Sequence, residues 1–156
     1  MNMRMIRCGL ITIIALILPC STAAVAQTGF GLRAGVSGDP NQFHFGAHFI
    51  TEPLISRLSF RPNLEIGVGS HVTTVAANFE FAYRIPVPKS AVSAYIGAGP
   101  ALNVYRHSGN SPDNTDSGGG FNVLLGLEHR RGLFGEIKVG MIDSPQFKFT
   151  VGYTFR

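Results

Sequence analysis

The sequence predicts an all-β protein: an eight-stranded antiparallel up-and-down transmembrane β-barrel that follows a cleaved signal peptide. Three observations carry this prediction. Apolar residues recur at every second position in eight consecutive segments, which is the period of a strand. Every charge inside those segments falls on one face. The chain opens with an export signal, and nothing after it repeats at the helical period.

The signal comes first. In "MNMRMIRCGLITIIALILPCSTAAVAQ" a basic start at Arg4 and Arg7 is followed by an apolar core over residues 10–18 and a small-x-small site, Ala24-Val25-Ala26. The apolar run is too short for a spanning helix and reads as a secretory signal peptide. Pro19 before Cys20 argues against lipidation of that cysteine, so residues 1–26 are expected to be removed, leaving a single domain, 27–156. Both cysteines, Cys8 and Cys20, belong to the signal, so no disulfide framework and no thiol chemistry are expected in the mature chain. Without Arg4 and Arg7 the thirteen basic residues fall to eleven against nine acidic ones. That near-neutral balance gives no reason to expect a nucleic-acid partner.

The eight alternating segments are 30–36, 42–50, 58–69, 74–84, 92–105, 121–128, 133–141 and 146–155, separated by turn-like stretches such as "SGDPN", "IPVPKS" and "IDSP". The last, "QFKFTVGYTFR", shows the pattern plainly: Phe147, Phe149, Val151, Tyr153 and Phe155 share one face. The other face of the strands holds Arg33, Arg61, Glu65, Glu80, Arg84, Glu128, Glu136, Lys138 and Lys148. A soluble barrel would turn the apolar face inward, but an eight-stranded interior has too little room for about forty bulky side chains. The faces must be reversed. Apolar side chains then meet lipid, while glycines such as Gly31, Gly35, Gly46 and Gly126 make room inside for Arg33, Tyr95, Tyr105 and other large groups. Pro62 and Pro100 fall within strands and predict local bulges.

Topology gives a second check. Strands of an exported barrel start and end in the periplasm, with short periplasmic turns and longer outer loops. The connection after the fifth strand, residues 106–120, should then be external, and it is the longest; the tight "HRRG" should be periplasmic. "TEPLISR" is longer than a periplasmic turn requires.

With these segments in place, "LSFRPNLEIGVGS", "VAANFEFAYRIP", "AYIGAGPALNVY", "GGFNVLLGLEHRRGLFGEIKVGM" and "FKFTVGYTF" resemble the small outer-membrane β-barrel family, which includes the opacity-type adhesins and the membrane domain of outer membrane protein A. The resemblance spans the mature chain. It implies residence in the cell outer membrane, contact with outer-membrane lipid and lipopolysaccharide, and a monomeric barrel with a structural or adhesin-like surface role. It also implies that the alternating final strand, Phe147 to Phe155, is read by the barrel assembly machinery. That signal usually ends on the aromatic residue, and here Arg156 follows.

The nine lumen charges, five positive and four negative, can serve as an ion path or as a plug that fixes register; the filled interior of small barrels favours the plug. Counting from the connection after the third strand sets Arg61 opposite Glu80 as a cross-strand pair. His44 and His48 both point inward but lie about 13 Å apart along the strand, too far to share a metal, and are expected to hydrogen-bond. The long loop offers Arg106, His107, Asp113 and Asp116 for surface contact with an unknown partner. His107 and Ser108 also raise the alternative of an outer-leaflet lipid A hydrolase, but adjacent residues on a strand diverge. Asp113 and Asp116 do not match a calcium-loop spacing. No metal, cofactor or catalytic residue is expected; a narrow ion-conducting pore is the remaining alternative.

Overall fold

The structure, a computed structural model, describes residues 28–108 and 115–156. The signal peptide expected over 1–26 lies outside them. Eight strands follow one another: β1 (Gly29–Gly38), β2 (Gln42–Ile50), β3 (Leu58–Val68), β4 (Val72–Pro86), β5 (Val92–His107), β6 (Thr115–His129), β7 (Leu133–Ile142) and β8 (Phe147–Phe155). Each pairs antiparallel with the next, and β1 pairs with β8, from Phe30 opposite Phe155 to Gly38 opposite Phe147. The sheet closes, which leaves no edge strand.

Inside and outside alternate along every strand. On β8, Phe147, Phe149, Val151, Tyr153 and Phe155 are all exposed, while Lys148, Thr150 and Thr154 are buried. The same alternation gives Phe30, Leu32 and Val36 to the outside of β1, Phe43, Phe45 and Phe49 to β2, and Leu125 and Leu127 to β6. The buried side chains of the described residues are mostly polar or charged, and the one buried apolar cluster is small: Ala82, Tyr95 and Leu124. A protein in water would reverse this distribution. An apolar belt around a polar filling is what a lipid solvent selects. Strands of nine residues or more suffice to cross, since a tilted strand needs roughly 9–11.

The two ends differ. At one end, the terminal end, β1 begins and β8 finishes, joined by the turns 51–57, 87–91 and 130–132. The first of these, the long "TEPLISR", folds back on itself through a bridge between Ile55 and Leu58, which brings Arg57 to a left-handed φ of 73°. Gly132 closes the shortest of these three turns with a φ of 102°, a conformation only glycine takes without strain. At the far end, β4, β5 and β6 run 15, 16 and 15 residues and rise above the rest as a wall.

The structure departs from two of the sequence's expectations. The segment 106–120 is not mainly a loop. Its hairpin continues through Tyr105 opposite Asp116 to Arg106 opposite Thr115, so Arg106, His107 and Asp116 stand on strands. Gly118, Gly119 and Gly120 read as turn by composition, yet a hairpin neighbour satisfies their backbone as well as it would any other residue's. Asp113 lies outside the described residues. The prolines, in turn, produce no bulge. The β2–β3 ladder ends at His48 opposite Asn63, one residue short of Pro62. The β4–β5 ladder lapses between Asn78–Ala101 and Phe81–Ala98 and resumes in the same register, which passes Pro100 without inserting a residue. A lapsed pair absorbs a missing N–H without the extra residue of a bulge.

Candidate functional site

Chemistry-bearing side chains converge in the middle of the lumen, and strand parity puts them there. Arg33 on β1, Glu65 on β3, Glu80 on β4 and Glu136 and Lys138 on β7 all occupy inward positions, with Lys148 on β8. Glu136 and Lys138 are two apart and therefore share the face. Arg33 donates from Nη1 to Glu65 at 3.1 Å and from Nη2 to Glu136 at 3.0 Å. Lys148 donates to the other oxygen of Glu65 at 2.7 Å. Lys138 sits 2.6 Å from Glu80, 3.7 Å from Glu136 and 3.9 Å from Glu65. Tyr95 donates its hydroxyl to Glu136 at 2.9 Å.

Asparagines complete the shell. Asn63 donates to Glu80 at 2.8 Å, Asn78 to Asn63 at 2.7 Å, and Asn122 to Asn78 at 2.8 Å and to Glu80 at 3.3 Å. The side chains of the central ions are no more than 5% exposed. Each ion therefore gives up water, at an effective penalty of several kcal/mol per ion, and needs several partners in return.

Four side chains reach across a glycine on the neighbouring strand to a partner one strand further on. Arg33 faces Gly46 on β2, and Gly46 faces Glu65 on β3, so the guanidinium spans β2 to its carboxylate. Tyr95 reaches over Gly126 on β6 to Glu136 on β7 in the same way. His44 and His48 pass over Gly35 and Gly31 on β1 to the hydroxyls of Thr150 and Thr154 on β8, at 3.0 and 2.9 Å. A Cβ added at Gly126, Gly31 or Gly35 would run into the ring of Tyr95, His48 or His44. Among the described residues no three His, Asp or Glu side chains are grouped to hold a metal; His44 and His48 are each turned to a threonine.

A second group lies at the terminal mouth. Glu128 accepts Arg61 at 2.9 Å and Arg84 at 3.1 Å on one oxygen, and Arg156 on the other. Arg61 also lies 4.2 Å over the Tyr95 ring, a cation–π contact. The register does set Arg61 opposite Glu80, but the two do not pair. Arg61 leans toward the mouth and Glu128, while Glu80 turns inward to Lys138 and the asparagines. Side-chain length and lean decide this, and register alone does not contain them.

Arg156 enters the site from outside the expected set. Its signal was present all the same: it continues the inward parity of Lys148, Thr150, Gly152 and Thr154. Asn63, Asn78 and Asn122 share inward parity with the charges on their strands and were findable by the same rule. At the far end, His107 ends β5 opposite Val72, and the Ser108 N–H donates to the His71 carbonyl. Asp116 accepts the Ser117 N–H.

No family model and no curated protein matches this chain in sequence. Solved structures do match it in shape. The N-terminal β-barrel domain of Pseudomonas aeruginosa OprF aligns with a TM-score of 0.59 at 12% identity, over 82% of this chain and 96% of that one. Neisserial surface protein A (NspA) aligns with a TM-score of 0.64 at 14% identity, over 81% and 94%. At such identities the likeness is one of fold. It makes the chain a small eight-stranded β-barrel with the fold of these outer-membrane proteins, with an exposed apolar belt and a charge network buried inside.

Proposed function

We propose that this barrel is a monomeric, non-enzymatic outer-membrane protein whose charge network plugs the lumen and whose far-end hairpins make contacts at the cell surface, an adhesin-like role. The observation that supports this best is the packing of the central ions. Three cations and three carboxylates hold one another with almost no exposed surface, which suits a plug better than a path. Arg106, His107 and Asp116 belong to the raised β5–β6 hairpin, the element that stands farthest into the medium if the termini lie in the periplasm. Lipopolysaccharide and the assembly machinery are the partners this reading implies, the latter through the Phe147-to-Phe155 face of β8.

The test combines two measurements. Cells carrying the protein are compared with cells carrying a form in which 107–114 is replaced by a two-residue turn, and adherence to immobilised host surfaces is counted. A drop of several-fold is expected for the trimmed form at equal surface abundance; equal adherence removes the surface-contact reading. Planar-bilayer recording of the intact protein should be silent, and steady unitary conductance would replace the plug with a pore.

A further inference from the structure

The terminal mouth holds more positive charge than its own residues neutralise. Three guanidinium groups, from Arg61, Arg84 and Arg156, converge on the single carboxylate of Glu128. The Arg84 and Arg156 side chains remain 40% and 36% exposed, so they are open from outside as well as tied from within. Two cavities flank them. One, about 320 Å³, has Arg84, Lys89, Ser90, Arg130 and Arg156 in its lining, together with Glu128, whose carboxylate the arginines already hold. The other, about 290 Å³, shares Arg84 and Arg156 and adds Arg57. Ser90 accepts the Val92 N–H at 3.0 Å, which leaves its own proton to donate. Burial, and then the charges of Arg84 and Arg61, push the Arg156 guanidinium below its ordinary value, with Glu128 working the other way.

We infer that this mouth is a binding site for a phosphate group, held between Arg84 and Arg156 with Lys89 and Arg130 on the rim. Guanidinium forks match a phosphate's oxygens two at a time, and a second anion relieves the repulsion that one carboxylate leaves among three arginines. A phospholipid headgroup is the source the surroundings favour. Ile55, Ile85, Val87 and Leu133 are exposed apolar side chains on the strands and turns beside Arg57, Lys89 and Arg130. They suit the acyl region, with the basic groups at headgroup level. The far end is unlike it: Asp39, Asp116 and Asp143 are there, against Arg106 as the one lysine or arginine among the described residues. This inference concerns the mouth itself and stands whether or not the far-end hairpins bind a surface.

The exported protein is extracted into a maltoside detergent, which carries no phosphate, and its amide and arginine side-chain NMR signals are followed. Inorganic phosphate is titrated in one arm and monomeric dihexanoyl-phosphatidylglycerol in the other. Saturable shifts are expected at Arg84, Lys89, Arg130 and Arg156 and none at Asp39, Asp116 or Asp143. The double variant R84Q/R156Q should weaken binding at least tenfold, and K89A/R130A, which touches no ion pair of the barrel, several-fold. Response to both probes upholds a site for the phosphate itself; response to the lipid alone upholds the headgroup as its source. No saturable shift with either probe, or unchanged affinity in K89A/R130A and in R84Q/R156Q that still shows the heat-dependent gel mobility of a folded barrel, overturns the inference.

Discussion

In the middle of the lumen three cations, Arg33, Lys138 and Lys148, meet three carboxylates, Glu65, Glu80 and Glu136; at the terminal mouth three arginines meet one carboxylate, Glu128. The central groups are almost wholly enclosed, whereas two of the three arginines at the mouth are more than a third exposed. Balance and burial go together because an unpaired ion deep in a barrel has nothing to turn to, while one at the rim has water. The same residue types thus have different worth in the two places. In the centre they fix which strands share a row; at the mouth they leave charge available for something else.

The largest effect should follow from breaking the balanced centre. Glu65→Gln leaves Arg33 and Lys148 each short of a partner, and unfolding in urea from lipid vesicles should show a loss of about 3–5 kcal/mol. Adding Lys148→Met to it should recover part of that loss, because the orphaned charge goes with it. A loss below about 1 kcal/mol for Glu65→Gln would mean the centre is as forgiving as the mouth. An intermediate effect is expected at Gly46, the residue Arg33 crosses. A Cβ there would press on the Leu64 carbonyl, so Gly46→Ala should cost about 1–3 kcal/mol in the same assay. The smallest belongs to Arg156→Gln, whose partly solvated pair should contribute less than about 1 kcal/mol, shrinking further in high salt. If Glu65→Gln proved as salt-sensitive as Arg156→Gln, water would have reached the centre.

Parity made most of this legible. Once Lys148 and Glu136 are known to face inward, period two carries Thr150, Thr154 and Lys138 with them, and the outside of every strand follows. The bounds of β2 needed nothing more than the alternation from Gln42 to Ile50. What parity does not contain is reach. Arg61 stands opposite Glu80 in register yet bonds to Glu128, because an extended guanidinium can choose among carboxylates several ångströms apart along the axis. Composition misled at Thr115 to Gly120: small and polar residues are poor strand formers on their own, but a partner strand already ordered at Ala101 to Arg106 extends the ladder over them. Pro62 and Pro100 misled in the opposite sense, since a ladder can stop short of a proline, as at Pro62, or lapse for two residues and keep its count, as at Pro100.

The histidines that reach over β1 have a consequence for how the barrel comes shut. His44 and His48 belong to the second strand, and their hydroxyl partners, Thr150 and Thr154, to the last; 106 residues separate each pair along the chain. Neither bond exists until β8 has arrived beside β1, and both then span the junction from the far side of it. Closure of the cylinder thus requires β8 and carries the entropy of closing a long loop. When it happens, the seam gains side-chain ties in addition to its backbone ladder, so that β1 is gripped between its two neighbours like a tongue between clasped hands. Parting the first strand from the last then means releasing the second as well.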